Sequence, residues 1–237
     1  MAHRDWIMIN FLFDIDGTLT SPRQKMSRDF RSGFGGWVVA QSTIGNSVFL
    51  VTGSNKTKTK EQIGVALWRL VTGCYQNCGS QLYIRGRLIK QSQWVMSAEL
   101  RLDILELTGT SEWCGRAEGN LEERVGMVNM STVGRSADQP LRTEYYNWDI
   151  KNGERERIVK QLSSKYPELE FAIGGEISID IYPSGKDKSQ ILCDMIGGTV
   201  FFGDKCDKNG NDYHIAQKVD QYHHVKDWQE TKSILET

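Results

Sequence analysis

The sequence lacks an excess of charge of either sign: 29 Lys and Arg against 30 Asp and Glu leave a formal net charge of −1. A chain so balanced carries no global positive field for a phosphate backbone or an anionic membrane, so a small molecule is the expected partner, with no nucleic acid and no membrane. Cysteine is sparse as well. The five cysteines are odd in number and scattered, and the pair Cys74 and Cys78 has no second pair or histidine cluster nearby to complete a zinc site. Reduced structural thiols in a cytoplasmic protein are the expectation. No apolar run reaches membrane-spanning length, and the apolar stretch in MAHRDWIMIN is too short for a secretory signal before Asp14 interrupts it. Internal repeats and low-complexity tracts are also missing. What remains is an ordinary globular composition, 39% hydrophobic and 25% charged over 237 residues, which suits one large domain or a core domain carrying an insertion.

Short apolar runs rich in aromatic and branched residues stop at turn or polar signals, as strands buried on both faces of a parallel sheet do. Ile9 to Phe13 is the first, Ser47 to Val51 the second, ending at Thr52-Gly53-Ser54, and Thr199 to Phe202 the third, ending at Gly203-Asp204. Helical patterning follows, for example Lys60 to Val71 with apolar Ile63, Ala66, Leu67 and Leu70, while NKTKTKEQ at 55–62 reads as a solvated loop entering that helix. This is βα alternation. The middle differs: LYIRGRLI at 82–89 reads as a hairpin turning at Arg85-Gly86-Arg87, Gly126 to Thr132 and Glu176 to Tyr182 alternate, and Gly153 to Tyr166 reads as a helix with Ile158, Val159 and Leu162 on one face. The order implies an α/β core, residues 1–81 and 184–237, interrupted by a strand-rich α+β insertion over 82–183.

The chemistry lies at the strand ends. In open α/β sheets ligands bind outside the carboxyl ends of the strands, and the three core strands deliver Asp14 and Asp16, then Thr52 and Ser54, then Asp204 to that edge. Carboxylates gathered there without matching cations repel one another, and a hard divalent cation such as Mg²⁺ removes the conflict because it takes oxygen ligands. Taken singly, each residue has a bland reading as turn former, helix cap or solvated surface; their joint order across three strand ends favours function.

FDIDGTLT resembles the nucleophile motif of the haloacid dehalogenase-like phosphotransferases, and FLFDIDGTLTSPRQK is similar to the N-terminal signature of the eukaryotic-type phosphomannomutases. MVNMSTVGRS at 127–136, LRTEYYNWD at 141–149, GGEISIDIYPSGKDK at 174–188, FFGDK at 201–205 and GND at 210–212 extend the resemblance over nearly the whole chain. It implies a Rossmann-like parallel-sheet core of the haloacid dehalogenase type whose inserted α+β cap closes over the substrate. It further implies Asp14 as nucleophile, Asp16 as general acid and base, and Lys188 paired with the phosphoryl group or the nucleophile. Mg²⁺ would be held by Asp14, the backbone carbonyl of Asp16, and Asp204, with Asn211 and Asp212 positioning its surroundings. Thr52 or Ser54 would donate to a phosphoryl oxygen. Substrate binding falls to Arg23 in the core and to Arg124, Arg135, Arg142, Ser178 and Asp180 in the cap. In 176–182, strand geometry puts Ser178 and Asp180 on one face and Ile177, Ile179 and Ile181 on the other.

The activity implied is interconversion of mannose 6-phosphate and mannose 1-phosphate through an aspartyl-phosphate enzyme, with a hexose 1,6-bisphosphate as activating primer and a homodimer through the cap allowed. Two departures stand out. Thr52 occupies a position that is typically Gly in these mutases and Thr in the wider phosphatases, which keeps a sugar-phosphate phosphatase as the alternative reading. Lys218 stands where an acidic loop would hold a second, structural cation, so no second ion is expected. A non-catalytic sugar-phosphate-binding protein would have no need of Asp14, Asp16, Lys188 and Asp204 together. The segment from Gln91 to Gly119, with Trp94 and Trp113, matches only loosely.

Overall fold

The structure is a computed structural model describing residues 8–208 and 210–236. The reading of the N-terminus for a secretory signal falls, over residues 1–7, outside the described residues. The chain divides into two compact units, one running to Gln91 and resuming at Lys186, the other comprising Ser92–Gly185.

The first unit contains β1 (Ile9–Phe13), α1 (Arg28–Thr43), β2 (Ser47–Val51), α2 (Lys56–Ile63), α3 (Val65–Leu70), β3 (Gly73–Gln76), β4 (Gln81–Ile84) and β5 (Arg87–Gln91). After the insertion its sheet resumes beyond the second unit's strands. The second unit holds α4 (Ala98–Gly109), β6 (Leu121–Arg124), β7 (Met127–Ser131), α5 (Gln139–Asn152), α6 (Glu154–Lys165), β8 (Leu169–Gly174) and β9 (Ser178–Pro183). Back in the first unit follow β10 (Gly198–Gly203), α7 (Tyr213–Ala216), β11 (Gln221–His224) and α8 (Trp228–Leu235).

The first unit's sheet runs β11-β10-β1-β2-β3-β4-β5. β1 lies parallel to both β10 and β2, and the successive elements depart from it in opposite directions. A topological switch point therefore falls between β1 and β10, where a doubly wound sheet opens a crevice at its carboxyl edge. Aromatic packing holds this centre: Phe13 stacks on Phe202 with centroids 4.6 Å apart and meets Phe34 of α1 edge-on at 5.1 Å. Helix α1 starts at Ser27, whose side chain accepts from the Phe30 N–H, and buries Phe30, Phe34 and Val38 at fourfold spacing.

Three expectations need correction. The hairpin at 82–89 forms, but β4 pairs with β3 and so extends the first unit's sheet; the boundary falls after Gln91 rather than after residue 81. The helix expected over Lys60–Val71 is two helices, because Gly64 takes φ +83° between α2 and α3 and turns Ala66 and Leu70 outward while Leu67 and Trp68 are buried. The run at 55–62 is helical from Lys56, with Asn55 accepting from the Lys58 N–H as its N-cap.

The second unit is a four-stranded antiparallel sheet, β6-β7-β9-β8. Strand alternation sorts its residues by face. Val128, Met130, Ile179 and Ile181 join Leu100 and Ile104 of α4 and Ile158 and Leu162 of α6 in one apolar cluster. Ile177 precedes β9 and packs elsewhere, with Val133, Ala137 and Tyr145. The alternate positions Glu122, Arg124, Asn129, Ser131, Ser178 and Asp180 form the opposite, polar face.

Candidate active site

Two polar centres carry the expected site residues, one in each unit. The first lies at the carboxyl edge of β1 and β10. Asp14 directly follows β1 and is buried; its backbone N–H donates to the Phe202 carbonyl, which ties it to β10. Lys188 opens the 3₁₀ segment Lys188–Asp194, whose cap Asp187 accepts from the Ser189 N–H. Its ammonium, only 1% exposed, bonds Asp14 Oδ1 at 2.5 Å and Asp212 Oδ1 at 2.6 Å. Asp204 follows β10, and ligand oxygens of Asp14, Asp204 and Asp212 all lie within 4.8 Å of one another.

This gathering strains the carboxylates electrostatically. Burial, reinforced by the charges of Asp212 and Asp204, pushes Asp14 up to about 8 despite the opposing pull of Lys188. Burial and then Asp212 push Asp204 up to about 6. Burial alone would lower the Lys188 ammonium, but the charges of Asp14 and Asp212 outweigh it and hold it well above its usual value. One buried ammonium thus bonds two of the three carboxylates, and Asp204 is offset more by Lys205 than by Lys188. The oxygen-only donor set and its unbalanced negative charge fit a hard divalent cation. Gly17 reinforces that fit: a Cβ there would collide with the Asp204 carboxylate, so the absence of a side chain lets Asp204 approach the DxDGT turn. Asp212, expected only around the metal, joins the cluster itself; Asn211 is exposed.

The Asp16 carboxylate belongs to a different arrangement. Its Oδ1 accepts from the Arg23 backbone N–H at 2.6 Å and from Gln62 Nε2 at 2.8 Å, and its Oδ2 from Lys58 Nζ at 3.1 Å. Burial would raise its pKa, but these three donors prevail and hold it below the usual carboxylate range, so it is ionised. Only the backbone of Asp16 is left for the metal role expected of it. Arg23 has an exposed side chain and contributes through its N–H, from a left-handed φ of +64°. Thr52 and Ser54 are both buried at the end of β2, and Thr52 Oγ1 accepts from the Ser54 N–H at 3.0 Å, leaving the hydroxyl proton for another acceptor. Lys218 Nζ donates to Ser189 Oγ at 2.9 Å, so an ammonium ties the chain beyond Asp212 to the Lys188 segment.

The second centre is the polar face of the cap sheet. Arg135 Nη1 donates to Ser178 Oγ at 2.9 Å, and Asn129 Nδ2 to Asp180 Oδ1 at 2.5 Å across the β7–β9 register. Glu122 joins Arg124, through paired bonds of 2.8 and 2.7 Å, to Arg135 at 2.9 Å. Arg142 bonds the backbone of this centre. It is 5% exposed and gives Nε to the Ala137 carbonyl and Nη2 to the Arg135 carbonyl, both at 2.7 Å, which braces the turn bearing Arg135.

Sequence reasoning missed Lys58, Gln62, Glu122 and Asn129. Lys58 and Gln62 stand four apart on one face of α2, and Glu122 and Arg124 two apart on one strand face, so periodicity held the signal once the elements were placed.

A parallel sheet presenting an Asp-x-Asp turn after its first strand, a buried lysine and a further aspartate at the switch point defines a haloacid dehalogenase-like fold. Solved structures of that class share it: a HAD subclass IIB sugar phosphatase superposes with a TM-score of 0.60 at 15% identity over 96% of this chain and 97% of its own. The C-terminal domain of the Candida albicans trehalose-6-phosphate phosphatase gives 0.62 at 15% identity over 98% and 91%. The chain belongs to the eukaryotic phosphomannomutase family, whose model matches residues 40–237. The Galdieria sulphuraria phosphomannomutase is 33% identical over 222 residues, covering 87% of this chain and 84% of that relative. The Saccharomyces cerevisiae phosphomannomutase is 33% identical over 239 residues, covering 94% and 91%. The family-model match begins downstream of FDIDGTLT, so the placing of Asp14 and Asp16 rests on the structure and that motif.

Proposed function

We propose that this chain is a Mg²⁺-dependent phosphomannomutase, interconverting mannose 6-phosphate and mannose 1-phosphate with a hexose 1,6-bisphosphate as primer. The observation that carries phosphoryl transfer is the buried Asp14 held by Lys188 at the switch point, beside Asp204 and Asp212; the cap face bearing Arg124 and Arg135 is what favours a mutase. Asp14 attacks phosphorus as the ester bond to the sugar oxygen breaks, leaving an aspartyl phosphate. Asp16, ionised by Arg23, Lys58 and Gln62, takes the proton of the sugar hydroxyl that attacks this aspartyl phosphate. The proton gained is returned to the sugar oxygen that departs in the next half-reaction, so acid and base roles balance over the cycle. Mg²⁺ held by Asp14, Asp204, Asp212 and the Asp16 carbonyl would supply positive charge to the phosphoryl oxygens. Lys188 keeps Asp14 oriented, and Thr52 or Ser54 donates to a phosphoryl oxygen.

The cap face supplies recognition. Guanidinium forks suit a phosphate that is bound but not reacting, which supports assigning Arg124 and Arg135 to it, with Ser178 and Asp180 for phosphate and sugar hydroxyls. Arg142 acts through the turn it braces. A homodimer through the cap is supported by the outward Val95, Leu102 and Leu105, and a cytoplasmic setting by five free thiols. No helix among the described residues is long and apolar enough to cross a membrane.

Thr52 favours a phosphatase as the second reading, and a single reaction separates the two. With mannose 1-phosphate, Mg²⁺ and a hexose 1,6-bisphosphate, a mutase accumulates mannose 6-phosphate with little free phosphate. Free phosphate as the dominant product, with no mannose 6-phosphate, would replace the mutase reading by the phosphatase.

A further inference from the structure

Glu122 engages both Arg124 and Arg135 on the cap face. It sits on the edge strand β6, directly opposite Asn129, with a side chain 34% exposed. Arg124 meets it fork to fork, Nε to Oε1 at 2.8 Å and Nη2 to Oε2 at 2.7 Å. Arg135 donates Nε to Oε2 at 3.0 Å, and its Nη2 pairs with the same oxygen at 2.9 Å. The carboxylate thus occupies the same Nε–Nη2 edge of both guanidiniums.

The remaining contacts locate what this fixes. Arg135 uses its other amino group, Nη1, on Ser178, while its backbone N–H bonds the Gly119 carbonyl and its own carbonyl takes Arg142. The backbone of Arg135 is therefore secured by the turn and by Arg142, and its fork is secured by Glu122 and Ser178. Arg124 lies two residues from Glu122 on the same strand face, where the bidentate pair sets the plane of its guanidinium. The Arg124 bonds foremost hold the Glu122 carboxyl down at about 2, so it stays ionised throughout the physiological range.

We propose that Glu122 is a positioning residue: it clamps Arg124 and Arg135 by one shared edge so that both guanidiniums are aligned to take a single phosphate. The proposal rests on the reading that this face holds the phosphate of a hexose phosphate. A flexible arginine loses side-chain freedom when it grips a ligand, and a fork already held loses less. Preorganisation should therefore outweigh the repulsion between Glu122 and an incoming anion. That balance has a measurable sign. If Glu122 were only a negative charge beside an anion site, neutralising it would strengthen phosphate binding; if it positions the forks, neutralising it weakens binding.

The test compares the full chain with Glu122→Gln and Glu122→Asp. KM and kcat are measured for mannose 1-phosphate under saturating hexose 1,6-bisphosphate, and Kd for mannose 1-phosphate by calorimetry, with melting curves confirming that each variant is folded. Glu122→Gln is expected to raise KM and Kd about tenfold while kcat changes less than about threefold. Glu122→Asp, which keeps the charge one methylene short, is expected to fall between. Glu122→Asp also carries the test should the Gln variant not fold. Unchanged or tighter binding by Glu122→Gln, or a fall in kcat at unchanged KM, overturns the proposal. If the parent chain fails to isomerise mannose 1-phosphate yet binds it, and Glu122→Gln still weakens that binding, the functional reading fails while the positioning role stands.

Discussion

Replacing Lys188 with Met removes the cation bonded to both Asp14 and Asp212 while keeping the side chain's bulk. Lys188 is 1% exposed and its two partners are 4% and 0% exposed, so water cannot take its place without rearrangement. Removing one member of a buried ionic cluster typically costs roughly 3 to 5 kcal/mol, because the charges left behind are uncompensated. A proton can take the place of the lost ammonium, and Asp14, already pushed up to about 8, is where it binds most readily. The loss should therefore be small near pH 6, where Asp14 is protonated with or without Lys188, and grow above about pH 8, where the parent's Asp14 ionises while the variant's stays protonated. Because two compact units need not unfold together, the measurement should be local: amide hydrogen exchange in β1 and β10, in EDTA, corrected for intrinsic rates. At about 1.4 kcal/mol per pH unit, and the same per factor of ten, exchange should accelerate little at pH 6 and by roughly a hundredfold at pH 10. Saturating Mg²⁺ should recover part of the loss, since a ligand at a hundred times its Kd stabilises by about 2.7 kcal/mol. Exchange within about fivefold of the parent at pH 10 in EDTA would refute the assignment of Lys188 as the counter-charge of this cluster.

The raised pKa values of Asp14 and Asp204 have a linked consequence. A folded state that holds extra protons is stabilised at low pH and loses that stability as pH rises through about 6 and about 8, so the melting-temperature increase produced by a fixed Mg²⁺ concentration should grow from pH 6 to pH 8; a constant increment would mean that the metal does not displace these protons. Arg142→Ala should cost the cap roughly 1.5 to 3 kcal/mol by uncovering two buried carbonyls and lower isomerisation at least about tenfold, with Arg142→Lys only a partial rescue. Unchanged melting with lost activity would instead place Arg142 on the substrate. Gly33→Ala and Gly36→Ala, at exposed positions of α1 with nothing within 4 Å of a new Cβ, should each stabilise by about 0.5 to 1 kcal/mol, read from unfolding midpoints.

Those two glycines also show where the sequence stops speaking. β1 and β2 have the bounds expected of them, because INFLF and SVFLV are continuous apolar runs with abrupt polar ends. Helix α1 is disguised by the run SGFGGW, whose glycines disfavour a helix in isolation; the buried Phe30, Phe34 and Val38 override them. Helix α4 was hidden for the opposite reason: its apolar residues lie all round, with Leu100 and Ile104 buried and Leu102 and Leu105 exposed, so no single face marks it. At the site, Asp14, Lys188 and Asp204 were legible because their types and order are uncommon together. The partners of Asp16 were not, since Lys58 and Gln62 lie 42 and 46 residues away and only the folded chain brings them to it. The brace that Arg142 gives the Arg135 turn was hidden too, because a sequence displays a charge without showing which carbonyls its fork meets.

Net charge hid the most about function. A value of −1 excludes a global field, yet it averages two centres of opposite character. At the switch point of the first unit, three carboxylates gather around a lysine bonded to two of them; on the polar face of the second, Arg124 and Arg135 share Glu122. The first arrangement calls for a divalent cation before a phosphoryl dianion can approach it. On the proposed reading the second takes a phosphate that does not react. A mutase has a role for both arrangements, whereas hydrolysis of a monophosphate needs just the first. The case for a mutase over a phosphatase therefore lies in the cap arginines and the carboxylate that aligns them, because Asp14, Lys188 and Asp204 would serve either reaction equally well.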